Sequence, residues 1–302
     1  MGEARWFLGI SLHFDHEHGI TTLSQAKFAA DVTKRFGMDN CRPRKTPQDR
    51  GTILYKRTEE DEPAEDTPYR QAVGVLLYLA RVTRPDISYA VNQVAVHASD
   101  PSKAHWVAEK NIFRYIDATK SMSLTYYRTT TEPHVRVYTD ADWANNEADR
   151  RSVSGSVIQV FGSAVSWQTK RQRAVSKSST IAEYIAVDDG VDEARWAMSL
   201  VVRLMKLDHV IPIPAMIGNK STIKRLTNGR NSDAQKTVDC KFFSVREAVD
   251  NGELELAYCP TNVMLADMLT KALPTTRFRE LRKALGVCEF TAGVGEVLEH
   301  PA

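Results

Sequence analysis

The feature that most constrains this chain is a long apolar stripe in its second half. From about residue 180 to 206, Tyr184, Val187, Val191, Ala194, Met198, Val201 and Met205 recur at three- and four-residue spacing, the signature of one helix face. Three short strand-like runs precede it, at about 135–140, 153–161 and 164–169, and they read as an antiparallel meander. After it come a short strand near 212–217, helices near 220–227 and 239–251, and a strand at Leu254–Cys259. Two helices close the pattern, Met264–Leu273 and Thr276–Leu285, the second ended by Gly286. A long helix with a single apolar face needs a layer to bury it against, so this half predicts an α/β fold.

The first half is organised differently. Trp6–Leu12 reads as a strand, Ile20–Leu23 as its partner, and the polar run Asp15–Gly19 as the hairpin turn between them. Helical spacing runs from Gln25 to Phe36, with Gly37 as the cap. Glu59–Asp66 then places six acids in eight residues, which predicts a solvated connection. From Tyr69 the helical spacing returns, with Val73, Leu76, Leu77 and Ala80 on one face, then Ile87, Ala90, Val91 and Val94. Trp106, Ile112, Phe113 and Ile116 complete a set of three amphipathic helices. The Thr-rich stretch Thr129–Glu132 reads as a linker, so two domains are expected, 1–128 and 134–289, followed by a tail at 290–302.

Composition excludes some classes of function. Apolar residues make up 42% and charged residues 26%, the proportions of a globular protein. Forty Lys and Arg against 38 Asp and Glu give a net charge of +2, which neither demands nor excludes a nucleic-acid partner. The longest apolar run, Ala72–Ala80, is too short to cross a bilayer, and the N-terminus lacks signal-peptide character. Cys41, Cys240, Cys259 and Cys288 have no paired spacing, which predicts reduced thiols rather than disulfides or a zinc site. The expected setting is intracellular and cytoplasmic, with no membrane association.

Three acids stand where chemistry can be done. Asp140 directly follows an apolar strand, Glu183 lies in the first turn of the long helix, and Asp267 lies in the first turn of a helix that directly follows a strand. Carboxylates converging on one sheet edge bind hard divalent cations, which prefer oxygen ligands. A pair of such cations roughly 3.5–4 Å apart can activate water and stabilise a departing phosphodiester oxygen. Each acid also has a structural reading. Thr180-Ile-Ala-Glu183 fits a capping box, Asp267 can complement a helix dipole with Asn262 as cap, and Asp140 can be a turn acid beside Asp142 and Asp149.

Several motifs decide between these readings by resemblance. Val137-Tyr-Thr-Asp-Ala-Asp-Trp-Ala144, Asp149-Arg-Arg-Ser-Val-Ser-Gly155, Val165-Ser-Trp-Gln-Thr-Lys-Arg-Gln172 and Ser178-Ser-Thr-Ile-Ala-Glu-Tyr184 resemble the ribonuclease H (RNase H) domain of copia-type retrotransposon Pol polyproteins. Tyr258-Cys-Pro-Thr-Asn-Val-Met-Leu-Ala-Asp-Met-Leu-Thr-Lys271 is similar to that family's final segment, and the likeness runs in order over about 134–286. Phe7-Leu-Gly-Ile10, Leu23-Ser-Gln25, Tyr69-Arg70, Leu77-Tyr-Leu79, Thr83-Arg-Pro-Asp-Ile87 and His105-Trp106 resemble the same element's reverse transcriptase after its polymerase motif. The resemblance implies an RNase H-like mixed five-stranded sheet with flanking helices. Before it would come a small, mostly helical thumb or connection region with an N-terminal β-hairpin. No Tyr-x-Asp-Asp metal motif occurs in the chain, so polymerisation by this chain alone is not expected.

The resemblance also implies a site. Asp140, Glu183 and Asp267 correspond to ligands for Mg²⁺ or Mn²⁺ in a two-metal nuclease that cuts the RNA strand of RNA–DNA hybrids. The family's fourth ligand lies in a segment like Pro-Ile-Pro-x-x-Cys-Asp-Asn-x-Ser. Here that segment reads Pro212-Ile-Pro-Ala-Met-Ile-Gly218-Asn219-Lys220-Ser221, and Gly218 occupies the Asp position. Thr237 and Phe243 likewise stand where the family usually shows His. The expected function is therefore a retrotransposon RNase H impaired at Gly218; the alternative is an inactive remnant that folds and binds nucleic acid only. Asp188 and Asp189 lie too far along the helix to compensate.

The basic residues Arg150, Arg151, Lys170, Arg171, Arg173 and Lys177 read either as phosphate contacts for a hybrid or as a solvated hairpin surface. Trp143 and Trp167 read as core residues or base-stacking platforms, and His16 and His18 as a polar turn or a metal pair. The implied partners are an RNA–DNA hybrid or other nucleic acid and the upstream reverse transcriptase. The implied setting of an intact element is a virus-like particle or the nucleus.

Overall fold

A computed structural model describes residues 3–129, 133–144, 149–208, 211–228 and 236–289. Most of the expected linker and the expected tail at 290–302 lie outside these residues. The order of elements is β1 (Trp6–Phe7), β2 (Ile10–Asp15), β3 (Ile20–Ser24), α1 (Ala26–Arg35), α2 (Tyr69–Val82), α3 (Ser88–Ala95), α4 (Lys103–Ala118) and β4 (Met122–Tyr127). There follow β5 (Val135–Asp142), β6 (Val153–Val160), β7 (Ser163–Arg171), α5 (Ser179–Met205), β8 (Ile213–Ile217), α6 (Lys220–Asn228), α7 (Lys236–Asp250) and β9 (Leu254–Tyr258). The last elements are α8 (Asp267–Thr270), α9 (Thr275–Ala284) and β10 (Val287–Glu289).

The second sheet has the order β7-β6-β5-β8-β9. β5, β6 and β7 form the antiparallel meander, and β8 and β9 join on the other side of β5 as parallel strands. This mixed five-stranded sheet with α5 laid across it is the RNase H-like fold that the sequence resemblance implies. β6 is buried along nearly its whole length, without the alternation of a half-exposed strand, because helices cover both faces. On one face Val135, Val137 and Ile158 pack with Tyr184, Val187 and Val191 of α5. On the other, Tyr138, Val157 and Ala164 share a core with Leu76, Val91 and Ile112 of the helical first half. Neighbouring residues in β5 and β6 therefore serve different cores, as the two-residue period of a strand requires.

The first sheet, β1-β2-β3-β4-β10, is antiparallel and takes its last strand from the far end of the described chain. Val287 pairs with Leu124 and Glu289 with Met122. A buried ionic knot fixes that return. Arg84 binds Asp86 through Nε–Oδ1 (2.9 Å) and Nη2–Oδ2 (2.8 Å), and Tyr115 donates its hydroxyl to Asp86 Oδ2 at 2.5 Å. Arg282 of α9 donates to the same Tyr115 oxygen at 3.0 Å. No helix among the described residues is long and apolar enough to cross a membrane.

Several sequence expectations are corrected. The first strand is broken at Leu8–Gly9, both at positive φ, into β1 and β2. The helix expected over Met264–Leu273 is a 3₁₀ turn at Thr261–Val263, an extended Met264, and the single turn of α8. β4 and β10 were not expected at all. His16 contacts Glu3 and His18 contacts Asp15, a polar turn rather than a metal pair. Trp167 belongs to the packing, its Nε1 donating to the Ala80 carbonyl at 2.7 Å.

Candidate metal centre

The three acids come together at one end of the sheet. Asp140 sits inside β5, opposite Gly155 of β6, and not beyond the strand as expected. The absence of a side chain at Gly155 lets α8 lie against the strand, since a Cβ there would stand 2.7 Å from Thr270 Cγ2 and 3.0 Å from the Ala266 carbonyl. That close approach brings Asp267, the first residue of α8, beside Asp140. On the opposite face Gly190 lets α5 settle onto β5 and β6, since a Cβ there would meet Thr139 Cγ2 at 2.7 Å. The close approach carries Glu183 to the same end of β5.

The capping readings do not hold. Ser178 caps α5, accepting from the Ile181 N–H, and Glu183 lies beyond the first turn. Asn262 lies in the 3₁₀ turn and does not cap α8, which follows Ala266. Asp267 does stand in the first turn of α8, where a carboxylate complements the helix dipole, and the three acids also interact with one another. Glu183 is 6% exposed, its Oε2 is buried without a hydrogen-bond partner, and its carboxyl accepts from the Ala141 N–H. Burial, then the neighbouring Asp140, pushes its pKa up to about 9. Burial and Asp140 also push Asp267 up to about 6, against the pull of Lys271.

Two further residues, not singled out from sequence, complete the cluster. Thr270 donates its hydroxyl to Asp140 Oδ2 at 2.5 Å. Lys271 places its ammonium 3.3 Å from that same oxygen and 2.8 Å from Asp267 Oδ1. Burial disfavours the Lys271 charge, but Asp140 and Asp267 outweigh it and raise its pKa. A signal was present: Thr270 and Lys271 lie three and four residues after Asp267, the spacing that puts side chains on one side of a helical turn.

The chemistry of the donor set suits a hard divalent cation, and the orphaned Glu183 oxygen points the same way. The arrangement does not. Among the described residues no three His, Cys, Asp or Glu side chains stand within reach of a common ion. Lys271 spans two of the three carboxylates instead. The expected fourth position is vacant of charge, although Gly218 has an ordinary backbone and room for a side chain. A Cβ there would lie 3.5 Å from Met264 Cε and 4.0 Å from Asp140 Oδ1. Asn219 cannot substitute, because its Oδ1 caps α6, accepting from the Ser221 and Thr222 N–H groups at 2.9 and 3.1 Å. Asp188 and Asp189 are taken up by Lys241, and Asp189 also by Lys170 at 2.9 Å. Phe243 is exposed on α7, and the Thr237 side chain lies outside the described residues.

The basic residues do not form one patch. Arg151 and Arg171 both pair with Asp149, while Lys170 turns to the other face of β7 to meet Asp189. Arg150, Arg173 and Lys177 are exposed. Trp143 is 47% exposed, and its Nε1 donates to the Ser176 carbonyl at 2.9 Å, which ties the loop carrying Arg173 and Lys177 to the end of β5.

A strand meander crossed by one long helix, extended by two parallel strands and with acids on β5, α5 and α8, defines an RNase H-like protein. Known proteins specify the family. The chain is 33% identical over 294 residues to the retrovirus-related Pol polyprotein from transposon TNT 1-94 of Nicotiana tabacum, covering 95% of this chain and 22% of that protein. It is 32% identical over 279 residues to the Pol polyprotein from transposon RE2 of Arabidopsis thaliana, covering 91% and 19%. The chain belongs to the family of retrovirus-related Pol polyproteins of transposons, and it spans about a fifth of the length of these curated relatives. No protein-family model matches it. Among solved structures, LC11-RNase H1, isolated from compost, overlays with a TM-score of 0.35 at 15% identity, over 46% of this chain and 94% of that one.

Proposed function

We propose that this chain is the C-terminal part of a copia-type retrotransposon Pol polyprotein. Residues 1–128 are the end of a reverse transcriptase and 134–289 an RNase H domain, descended from two-metal enzymes that use Mg²⁺ or Mn²⁺ to cut RNA in RNA–DNA hybrids. Its ribonuclease is disabled or severely impaired. One observation carries this reading: Gly218 stands where a side chain would reach Asp140, and nothing in the backbone there requires glycine. A carboxylate is absent from a position that could accept one. Loss of one such group costs on the order of 10²–10³ in rate, and more if a metal is lost with it.

What remains is a fold with exposed basic side chains, suited to holding a phosphate backbone without reading sequence. Arg150, Arg173 and Lys177 are the exposed ones, and the half-exposed Trp143 is bonded to Ser176, next to Lys177. The setting is intracellular, and the partner is an RNA–DNA hybrid or another nucleic acid.

The test is cleavage of a labelled RNA–DNA hybrid with Mg²⁺ or Mn²⁺ by the unaltered chain and by Gly218→Asp. Cleavage by Gly218→Asp alone supports a disabled nuclease. Cleavage by the unaltered chain that Asp140→Asn abolishes means three carboxylates suffice, and the impaired reading falls.

A further inference from the structure

We propose that the Lys271 ammonium is a built-in counter-ion that occupies the place of a divalent cation and competes with one for the same two carboxylate oxygens. The inference rests on the reading of Asp140, Glu183 and Asp267 as a metal centre. The ammonium touches Asp140 Oδ2 and Asp267 Oδ1 together, at 3.3 and 2.8 Å, so it links oxygens from β5 and α8 as a bound cation would. It is not a surface lysine that happens to swing near. Its side chain is 34% exposed, and its stem starts from the residue that directly follows α8, whose N–H donates to the Asp267 carbonyl at 3.2 Å.

Charge explains why such a counter-ion belongs here. Two carboxylates brought together at a buried sheet edge repel, and without a cation the α8 turn would be pushed off β6. A centre with four carboxylates needs more positive charge than one ammonium supplies. With Gly218 in place of the fourth, a single ammonium offsets half of the charge on the Asp140–Asp267 pair and bridges the two carboxylates, so the centre needs less added positive charge to hold together. A divalent ion drawn to these carboxylates would have to overcome the ammonium held between Asp140 and Asp267. Thr270, which donates to the same Asp140 oxygen, holds that carboxylate in the orientation the ammonium uses.

The competition is measured with Mn²⁺ alone, by titration calorimetry and by the loss of the free-ion spin-resonance signal. The unaltered chain, Lys271→Met, Lys271→Arg and the double variant Lys271→Met/Asp140→Asn are compared. Removing a unit charge beside the ligand oxygens is expected to tighten Mn²⁺ binding in Lys271→Met by roughly tenfold or more. Lys271→Arg, which keeps the charge, binds as weakly as the unaltered chain, and the double variant loses the gain. Lys271→Met that binds Mn²⁺ no better than the unaltered chain overturns the inference.

The unaltered chain gives a second readout that needs no variant. Its thermal midpoint in millimolar Mn²⁺ matches that in EDTA, because the counter-ion is already present, and a rise of several degrees overturns the proposal. The two readings separate cleanly. If Gly218→Asp cleaves hybrids while Lys271→Met gains no Mn²⁺ affinity, the nuclease reading stands and the counter-ion falls. If Lys271→Met gains affinity that Asp140→Asn removes and Gly218→Asp cleaves nothing, the counter-ion stands and the nuclease reading falls.

Discussion

Glu109 offers the sharpest test of the packing in the first half. It lies on α4, is 0% exposed, and neither carboxylate oxygen has a hydrogen-bond partner. Burial alone pushes its pKa up to about 9, against an ordinary value of 4.5. The folded state therefore keeps a proton that the unfolded chain releases above about pH 4.5. Stability from this group is fully present below that pH and is lost as pH rises toward 9, at up to about 1.4 kcal/mol per pH unit. Between pH 6 and 8 the loss is about 2.7 kcal/mol, a large share of the 5–15 kcal/mol typical of a folded domain. Glu109→Leu removes the titration while filling similar space. Urea unfolding of both proteins at pH 6 and pH 8 isolates the effect, since every other group titrates in both and cancels in the difference. Glu109→Leu should gain about 2–3 kcal/mol on the unaltered chain between the two pH values, with an unchanged urea slope. An identical difference at both pH values would mean that Glu109 is ionised in the fold, and the burial argument would be refuted.

Other outcomes follow from the same structure. Asp86→Ala leaves the buried Arg84 charge without its partner and should cost about 3–5 kcal/mol by chemical denaturation. Gly155→Ala forces a Cβ against the Ala266 carbonyl at 3.0 Å, so stability should drop by about 1–3 kcal/mol as α8 is pushed away from β6. Replacing both Arg173 and Lys177 by Ala should weaken hybrid binding about equally for all sequences and lower the salt-dependence slope by about 2, read by fluorescence anisotropy across salt concentrations.

Much of the second sheet was legible because its signals are local. The α5 stripe and the three meander strands are each set by neighbouring residues, and their predicted and observed bounds nearly coincide. The acids of the centre were legible only through resemblance. Asp140, Glu183 and Asp267 lie far apart in sequence, and each had an adequate capping or turn reading by itself. What stayed hidden depends on distant partners. β10 is three residues whose strand character exists only against β4, and β4 itself, Met-Ser-Leu-Thr-Tyr-Tyr, alternates too weakly to stand out. Glu109 is an acid on an amphipathic helix, and nothing nearby in sequence foretells its burial. The segment from Met264 to Leu273 misled for a physical reason. Met264, Leu265, Ala266, Met268 and Leu269 are all buried, so they read as a continuous helix, and no Gly or Pro marks the extended break at Met264.

The pairing of β10 with β4 turns the whole second sheet into an insertion between two neighbouring strands of the first. Roughly 160 residues separate Tyr127 from Val287, and closing a flexible loop of that length would cost about 4.5 kcal/mol in its length-dependent part. A folded insertion spares most of that cost by holding its own ends in place. During synthesis β4 therefore leaves the ribosome with one edge unpaired, and it gains its partner only when nearly all of the described chain has emerged. Until then that edge is open to strands of other chains, which makes the return of β10, after the second sheet is complete, the step that protects the first from aggregation.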